Sequence, residues 1–244
     1  MDEKANDPLS GIARRSLRVI VLLDRSRSMR GKRIESLNQS MLEVLPALKG
    51  ASAKNANAEV LIRQLEFSSG ARWRDDWKPI EQYDDTWTYQ PLTAEGITDL
   101  GAALDLVTSE LHPDKIGSYN YPPVLILISD GQPTDDWESA LKRFNSSPFG
   151  KVAGRTVRTA INIAGEGSEA VLASFTGNSE MVVDVHNAEQ LTTRLKWATV
   201  ALSKHASEGR SAPRDAGSTG PAPAVPPRPP EVKPASGDDG IIVF

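Results

Sequence analysis

A run of five apolar residues, Val19 to Leu23, followed at once by an acidic residue constrains the fold of this chain more than any other feature. The run is too short for a helix of its own and is rich in β-branched side chains, so it predicts a strand buried on both faces of a sheet. A second apolar run predicts another such strand over Val124–Ser129. Strands of this kind are typical of parallel sheets covered by helices on both faces.

Helical and strand patterns alternate along the rest of the chain. Apolar residues recur at helical spacing over about Arg33 to Lys49, where Pro46 predicts a kink or an early end. Glu59 to Phe67 reads as a strand whose partial alternation favours an edge or half-covered position. The other predicted elements are an antiparallel return at Ala71 to Arg74, helices beginning near Asp99, Asp135, Ser168 and Ala188, and strands at Arg155 to Ile163 and Met181 to Val185. The sequence therefore predicts an α/β fold, with a doubly wound, mostly parallel sheet and helices on both faces.

Composition divides the 244 residues into three segments. Residues 1–16 form a polar lead-in, residues 17–206 carry the alternating pattern, and residues 207–244 are rich in Pro, Gly, Ala and Ser. The last segment has too little apolar surface to offset its ordering entropy, so we expect a flexible, disordered or extended tail. It ends in an apolar tip, residues 240–244.

Charge and composition exclude several classes of function. A net charge of -4 and the lack of a long basic run give no reason to expect nucleic-acid binding. The absence of cysteine excludes disulfides, thiolate metal sites and a cysteine nucleophile. No apolar run approaches the roughly 18 residues needed to span a membrane. The polar N-terminus does not read as a secretory signal, so we expect a cytoplasmic protein.

Oxygen-bearing side chains follow both buried strands. Asp24, Ser26 and Ser28 come after the first strand, Thr98 precedes a predicted helix, and Asp130 follows the second strand. Because ligands of open α/β sheets gather at the carboxyl ends of the strands, we expect these residues to lie together. Two carboxylates and three hydroxyls suit a hard cation such as Mg²⁺, with Mn²⁺ or Ca²⁺ as alternatives. They leave at least one position of an octahedron for water or an incoming ligand, and a carboxylate of a protein partner is an attractive sixth ligand.

The motifs Asp24-x-Ser-x-Ser28, Gly96-x-Thr98 and Asp130-Gly131 resemble the metal-ion-dependent adhesion site (MIDAS) of von Willebrand factor A domains. The similarity covers about residues 17–205. The longer sequences around these motifs, residues 22–29, 98–104 and 128–137, resemble the bacterial TerY-like proteins of tellurite-resistance and stress loci.

This resemblance implies a role for each candidate ligand. It implies that Ser26, Ser28 and Thr98 touch the ion directly, and that Asp24 and Asp130 bind it largely through water.

The resemblance also implies partners, namely a PP2C-type phosphatase and a serine/threonine-type kinase in a phosphosignalling complex. Two residues depart from the family pattern. Arg27 and Ile97 stand where glycine is common, so we expect both to crowd the loops and Arg27 to direct an extra charge toward the partner.

Two other functions remain open from the sequence. An aspartyl nucleophile at a strand end occurs in some phosphotransferases, but these need a second carboxylate where Ser26 stands, and no general base is evident. We therefore expect a non-catalytic protein, with a metal-dependent phosphohydrolase as the remote alternative. The other alternative is a scaffold that recruits partners through its C-terminal tail.

Asp99 is predicted to be a helix cap or to lie just outside the metal site, and Asp135 and Asp136 to be a cap and an exposed charge.

Overall fold

The computed structural model describes residues 14–53, 58–83, 89–117, 120–130, 132–150, 156–163 and 169–201. Most of the predicted lead-in and the whole predicted tail lie outside these ranges. The end of the last predicted helix, residues 202–206, lies outside them too.

Strands and helices alternate from one end of the described chain to the other. The strands are β1 (Arg15–Asp24), β2 (Ala58–Ser68), β3 (Gly70–Trp73), β4 (Lys78–Pro79), β5 (Val124–Ser129), β6 (Val157–Ile163) and β7 (Val182–Val185). The helices are α1 (Lys32–Ser52), α2 (Leu100–Glu110), α3 (Pro113–Ile116), α4 (Trp137–Ser146), α5 (Glu169–Thr176) and α6 (Ala188–Lys196), the last continued by a π-helical turn over Trp197–Ala201.

All seven strands join one mixed, mostly parallel sheet. Its order is β3-β2-β1-β5-β6-β7, and β4 pairs with β2 beside β3. The pairs β1–β2, β1–β5, β5–β6 and β6–β7 are parallel, whereas β3 and β4 run antiparallel to β2. β1 and β5 lie at the centre in the register Leu23↔Ile128, so the acidic residues that follow them emerge at the same edge.

Two apolar cores cover the two faces of the sheet, because successive side chains of a strand point to opposite sides. Val19, Val21 and Leu23 of β1 pack in the core that contains α1 and α6. Ile20 and Leu22 face the other core, built from α2, α4 and α5. The predicted doubly wound α/β architecture is therefore confirmed.

The structure decides between alternatives that the sequence left open. β2 is a half-covered strand rather than an edge strand, because it pairs with β1 on one side and with β3 and β4 on the other, and its first six residues alternate between buried and partly exposed. An early end of α1 at Pro46 is wrong, since the helix continues to Ser52. Leu42, one of the apolar residues of this helix, is 40 % exposed. Pro46 has no N–H to donate to the carbonyl of residue 42, so α1 continues past it with one backbone hydrogen bond fewer.

The start of β1 at Arg15 also moves two residues of the predicted lead-in into the sheet. Within the described ranges, no helix is both long and apolar enough to cross a lipid bilayer.

Candidate metal centre

The five predicted ligands reach the carboxyl edge of the sheet from three loops. Asp24 is the last residue of β1, and Ser26 and Ser28 flank the start of a 3-10 turn over Arg27–Met29. Asp130 follows β5, the parallel neighbour of β1. Thr98 lies in the loop that leads into α2.

Hydrogen bonds connect the carboxylates to the serines. The Ser26 and Ser28 Oγ atoms are 2.9 Å apart, and the Ser28 hydroxyl donates to Asp130 Oδ1 at 2.8 Å. The backbone N–H of Ser26 donates to Asp24 Oδ1 at 2.8 Å, and the Ser129 hydroxyl donates to Asp24 Oδ2 at 2.5 Å. Four of the five predicted ligands therefore form one connected group.

Thr98 joins this group across a cavity of about 410 Å³, which Ser26, Ser28 and Thr98 line together. Two backbone hydrogen bonds fix the loops on either side. The Arg27 N–H donates to the carbonyl of Gly96 at 3.2 Å, and the Thr134 N–H donates to that of Thr98 at 2.8 Å. The structure thus brings all five predicted residues to one place.

Gly96 allows the loop before Thr98 to pass this close. Its φ is +76°, in the left-handed region, and an added Cβ would lie 2.7 Å from Ser69 Oγ. A side chain is therefore excluded here by both conformation and space.

The two carboxylates are withdrawn from water. Asp24 is 0 % exposed and Asp130 is 4 % exposed. Burial raises the pKa of Asp24 to about 6, and the charge of Asp130 acts in the same direction, while hydrogen bonds from Ser129 and Ser26 oppose the rise. Two buried negative charges at one edge of the sheet are costly unless a cation lies nearby.

Arg33 supplies part of this positive charge, and the sequence analysis missed its role. Its Nη1 lies 2.6 Å from Asp130 Oδ2 and donates to the carbonyl of Ser28 at 3.1 Å. A cation in the first turn of a helix opposes the helix dipole, and that anomaly was the available signal for a nearby anion.

Asp135 is a helix cap and Asp136 is exposed, as predicted, whereas Asp99 is not a helix cap. Asp99 occupies the N-cap position of α2 without capping it, and its Oδ2 accepts from the Gly70 N–H at 2.7 Å. Asp135 caps α2 instead, since its two carboxylate oxygens accept from the N–H groups of Gly101 and Ala102 at 3.0 Å each. Asp136 also caps α4, since its Oδ1 accepts from the Ser139 N–H at 3.3 Å.

Arg27 and Ile97, the two departures from the family pattern, both line the cavity and are exposed. Ile97 is 51 % exposed. They border the opening rather than fill it.

The donor set fits a small hard cation. All the candidate ligand atoms are carboxylate or hydroxyl oxygens, which Mg²⁺ and Ca²⁺ prefer. Among the residues with described positions, no three Asp, Glu or His side chains cluster closely enough to hold a metal. A metal at this edge would therefore depend on the serine and threonine hydroxyls.

Comparison with known proteins identifies the family. A profile of the von Willebrand factor type A domain matches residues 19–196. No curated protein matches the chain.

Several solved structures share the fold. Proximal thread matrix protein 1 from the mussel byssus, with a zinc-occupied MIDAS motif, is 17% identical with a TM-score of 0.56, and the match covers 78% of this chain and 48% of that one. The pilus adhesin SpaC from Lactobacillus rhamnosus GG is 13% identical with a TM-score of 0.61, covering 79% and 30%. A von Willebrand factor type A protein from Catenulispora acidiphila is 16% identical with a TM-score of 0.53, covering 78% and 43%.

This chain therefore spans about half or less of the length of these relatives, and identities this low show a shared fold alone. The profile match extends over most of the sequence, and the sheet order and helix placement agree with it. The chain belongs to the von Willebrand factor type A domain family.

Proposed function

We propose that this chain is a metal-dependent protein–protein interaction module. In this proposal Asp24, Ser26, Ser28, Thr98 and Asp130 hold a Mg²⁺ ion, and an acidic side chain of a partner completes the site. The observation that carries the proposal is the unbroken contact from Ser26 to Ser28 to Asp130, at 2.9 and 2.8 Å, beside the cavity that Thr98 also lines.

The ion, when bound, would supply positive charge for the partner's carboxylate. The chain's own residues prepare the site for it. Asp24 fixes the serine loop by accepting from the Ser26 N–H, and Arg33 holds the Asp130 carboxylate against the start of α1. Such a preformed site lowers the ordering cost of binding.

Mg²⁺ is the preferred ion in this proposal, with Mn²⁺ and Ca²⁺ as alternatives. The oxygen-only donor set supports these hard ions. The mussel byssus relative holds zinc in its MIDAS motif, so zinc belongs in any comparison of ions.

The wider setting of the proposal rests on the resemblance of residues 98–104 and 128–137 to TerY-like proteins. We place the module in a bacterial stress-response, tellurite-resistance or defence complex, with a PP2C-type phosphatase and a serine/threonine-type kinase as candidate partners. Its cytoplasmic location stays a prediction, since a pilus adhesin and a minor pilin are among the structural relatives.

The environment of Asp24 favours a binding role over a catalytic one. The side chain is 0 % exposed, accepts hydrogen bonds from the Ser26 N–H and the Ser129 hydroxyl, and does not line the open cavity, so a phosphoester in that cavity would not meet it directly. Incubation with Mg²⁺ and a generic phosphoester tests the alternative. Turnover that is lost in Asp24→Ala would support a phosphohydrolase instead.

Affinity purification with and without a chelator tests the proposed function. Wild type is compared with Ser26→Ala/Ser28→Ala and with the control Ser109→Ala/Ser174→Ala, whose hydroxyls only bond to carbonyls of their own helices. We expect one or more proteins to be recovered by wild type and the control in Mg²⁺, and to be lost with chelator or with the first variant. Equal recovery under all conditions contradicts the proposal.

A further inference from the structure

We propose that the acidic partner is held at a second point, by an arginine cavity beside the metal site. This cavity, of about 680 Å³, is lined by Arg25, Arg72 and Arg74 and by the buried Glu66 among others. The inference rests on the proposed function, because it assigns a second carboxylate of the same partner segment to this cavity.

The two cavities share their loops. Arg25 stands between the metal-site residues Asp24 and Ser26, and its side chain lines the arginine cavity. Thr93 and Glu95 line the arginine cavity, whereas the three residues that follow Glu95 line the metal cavity. The Glu95 N–H donates to the carbonyl of Arg25 at 2.8 Å and ties the two loops together. In this proposal, an extended segment bound at the metal runs along the Glu95 loop and passes next to the arginines.

Three guanidinium groups converge on one buried carboxylate in this cavity. Glu66 is 4 % exposed and lies in β2. Its Oε1 is 3.0 Å from Arg25 Nε and 2.7 Å from Arg72 Nη2, and its Oε2 is 2.6 Å from Arg74 Nη1. The carboxylate and its nearest cations are thus fixed before any ligand arrives.

Positive charge remains in excess around that carboxylate. Four cationic and three acidic side chains line the cavity, although the whole chain has a net charge of -4. One of the three acids, Glu95, pairs with Arg25 Nη1 at 2.8 Å. The side chain of Arg72 is 73% exposed and brings the excess charge to the surface.

A carboxylate matches this environment better than a nucleic acid does. Glu66 Oε1 lies 2.7 Å from both Nε and Nη2 of Arg72, so the planar guanidinium offers a ligand carboxylate the pair of N–H groups at its Nη end. Strong binding of a phosphate backbone requires many neutralised charges, whereas the excess here is a single one. The occupant we assign is therefore a second Asp or Glu of the partner segment.

Arg72→Gln provides the test, because Glu66 keeps its contacts with Arg25 and Arg74 in this variant. The matched control is Arg143→Gln. Arg143 is 55% exposed and lies in the last turn of α4, away from the carboxyl edge of the sheet, where it pairs with Asp105 of α2. The probe is a fluorescein-labelled octaglutamate peptide, with octaglutamine as its neutral counterpart. Its binding is followed by fluorescence anisotropy in Mg²⁺ and in chelator at low ionic strength, and Mg²⁺ uptake is measured in parallel by calorimetry.

We expect Arg72→Gln to weaken octaglutamate binding roughly fivefold, the size of one partly screened charged hydrogen bond, with unchanged Mg²⁺ uptake and melting temperature. Arg143→Gln should bind as wild type does. If both variants bind octaglutamate with equal affinity and chelator still weakens that binding, the role of the arginine cavity is wrong and the metal-dependent function stands. Binding by wild type that ignores chelator contradicts the proposed function itself. Stronger competition by a single-stranded oligonucleotide of equal charge overturns the assignment of a carboxylate.

Discussion

The buried charge of Asp24 leads to an unusual expectation, namely that Asp24→Asn stabilises the protein when metal is absent. The pKa of Asp24 rises from the ordinary 3.8 to about 6 in the folded chain. A pKa difference of about two corresponds to on the order of 3 kcal/mol, since one unit equals about 1.4 kcal/mol.

The sign follows from proton linkage. A folded-state pKa above the unfolded value means that the folded state binds the proton more tightly. The associated stability is fully present below the unfolded value of 3.8 and is lost as pH rises through about 6. At pH 8 in chelator the wild-type carboxylate is charged and costly. An asparagine in its place still accepts from the Ser26 N–H and can donate to the Ser129 hydroxyl oxygen.

Urea unfolding followed by tryptophan fluorescence, with chelator present, measures the effect at pH 8 and near pH 4. We expect Asp24→Asn to raise the free energy of unfolding by up to about 3 kcal/mol at pH 8 and by little near pH 4. The advantage should shrink in Mg²⁺, because the ion stabilises only the wild type by mass action. The control Asp114→Asn alters a carboxylate that is 88% exposed and should change little at either pH. A variant less stable than wild type at pH 8 in chelator would refute the reasoning.

Three further predictions concern the loop before Thr98, the arginine that contacts Asp130, and the apolar core. Gly96→Ala should lower the free energy of unfolding by about 2 kcal/mol, and by more than Gly117→Ala, since both have a positive φ but only the first meets atoms closer than 3.4 Å. Urea titration checks the difference, and equal losses would contradict it. Arg33→Gln removes the cation from the buried carboxylate after β5 and should cost about 3 kcal/mol in chelator but less in Mg²⁺. If Mg²⁺ does not reduce this loss of unfolding free energy, the carboxylate after β5 does not take part in metal binding. Leu127→Ala should cost about 3 kcal/mol, and Leu42→Ala, at 40 % exposure, much less; similar thermal shifts would count against the described core.

The sequence predicts best those elements whose position is determined by burial of apolar side chains alone. β5 has the predicted bounds, Val124–Ser129, because an unbroken apolar run at the centre of a parallel sheet has no competing position. The candidate metal residues were predictable for a related reason. Parallel strands deliver whatever follows them to the same edge, so Asp24 and Asp130 meet regardless of the length of chain between them.

The parts that the sequence did not predict depend on contacts between distant loops. Partial alternation left an edge position open for β2, but the sequence did not predict that Glu66 of this strand is buried beside three arginines. Asp135 reads as a cap for the helix that follows it, yet it caps α2, more than thirty residues earlier. The helical pattern around Arg33 does not point to Asp130, and the contact between these two side chains exists only after β1 and β5 have paired. Periodicity does not encode such contacts.

Calorimetric titration of the isolated chain with Mg²⁺ and Mn²⁺ tests the central claim most directly. Wild type and Ser109→Ala/Ser174→Ala should each take up one ion, and Ser26→Ala/Ser28→Ala should show no uptake at the same concentrations. No uptake by wild type, or undiminished uptake by the Ser26→Ala/Ser28→Ala variant, would contradict the metal centre on which this account depends.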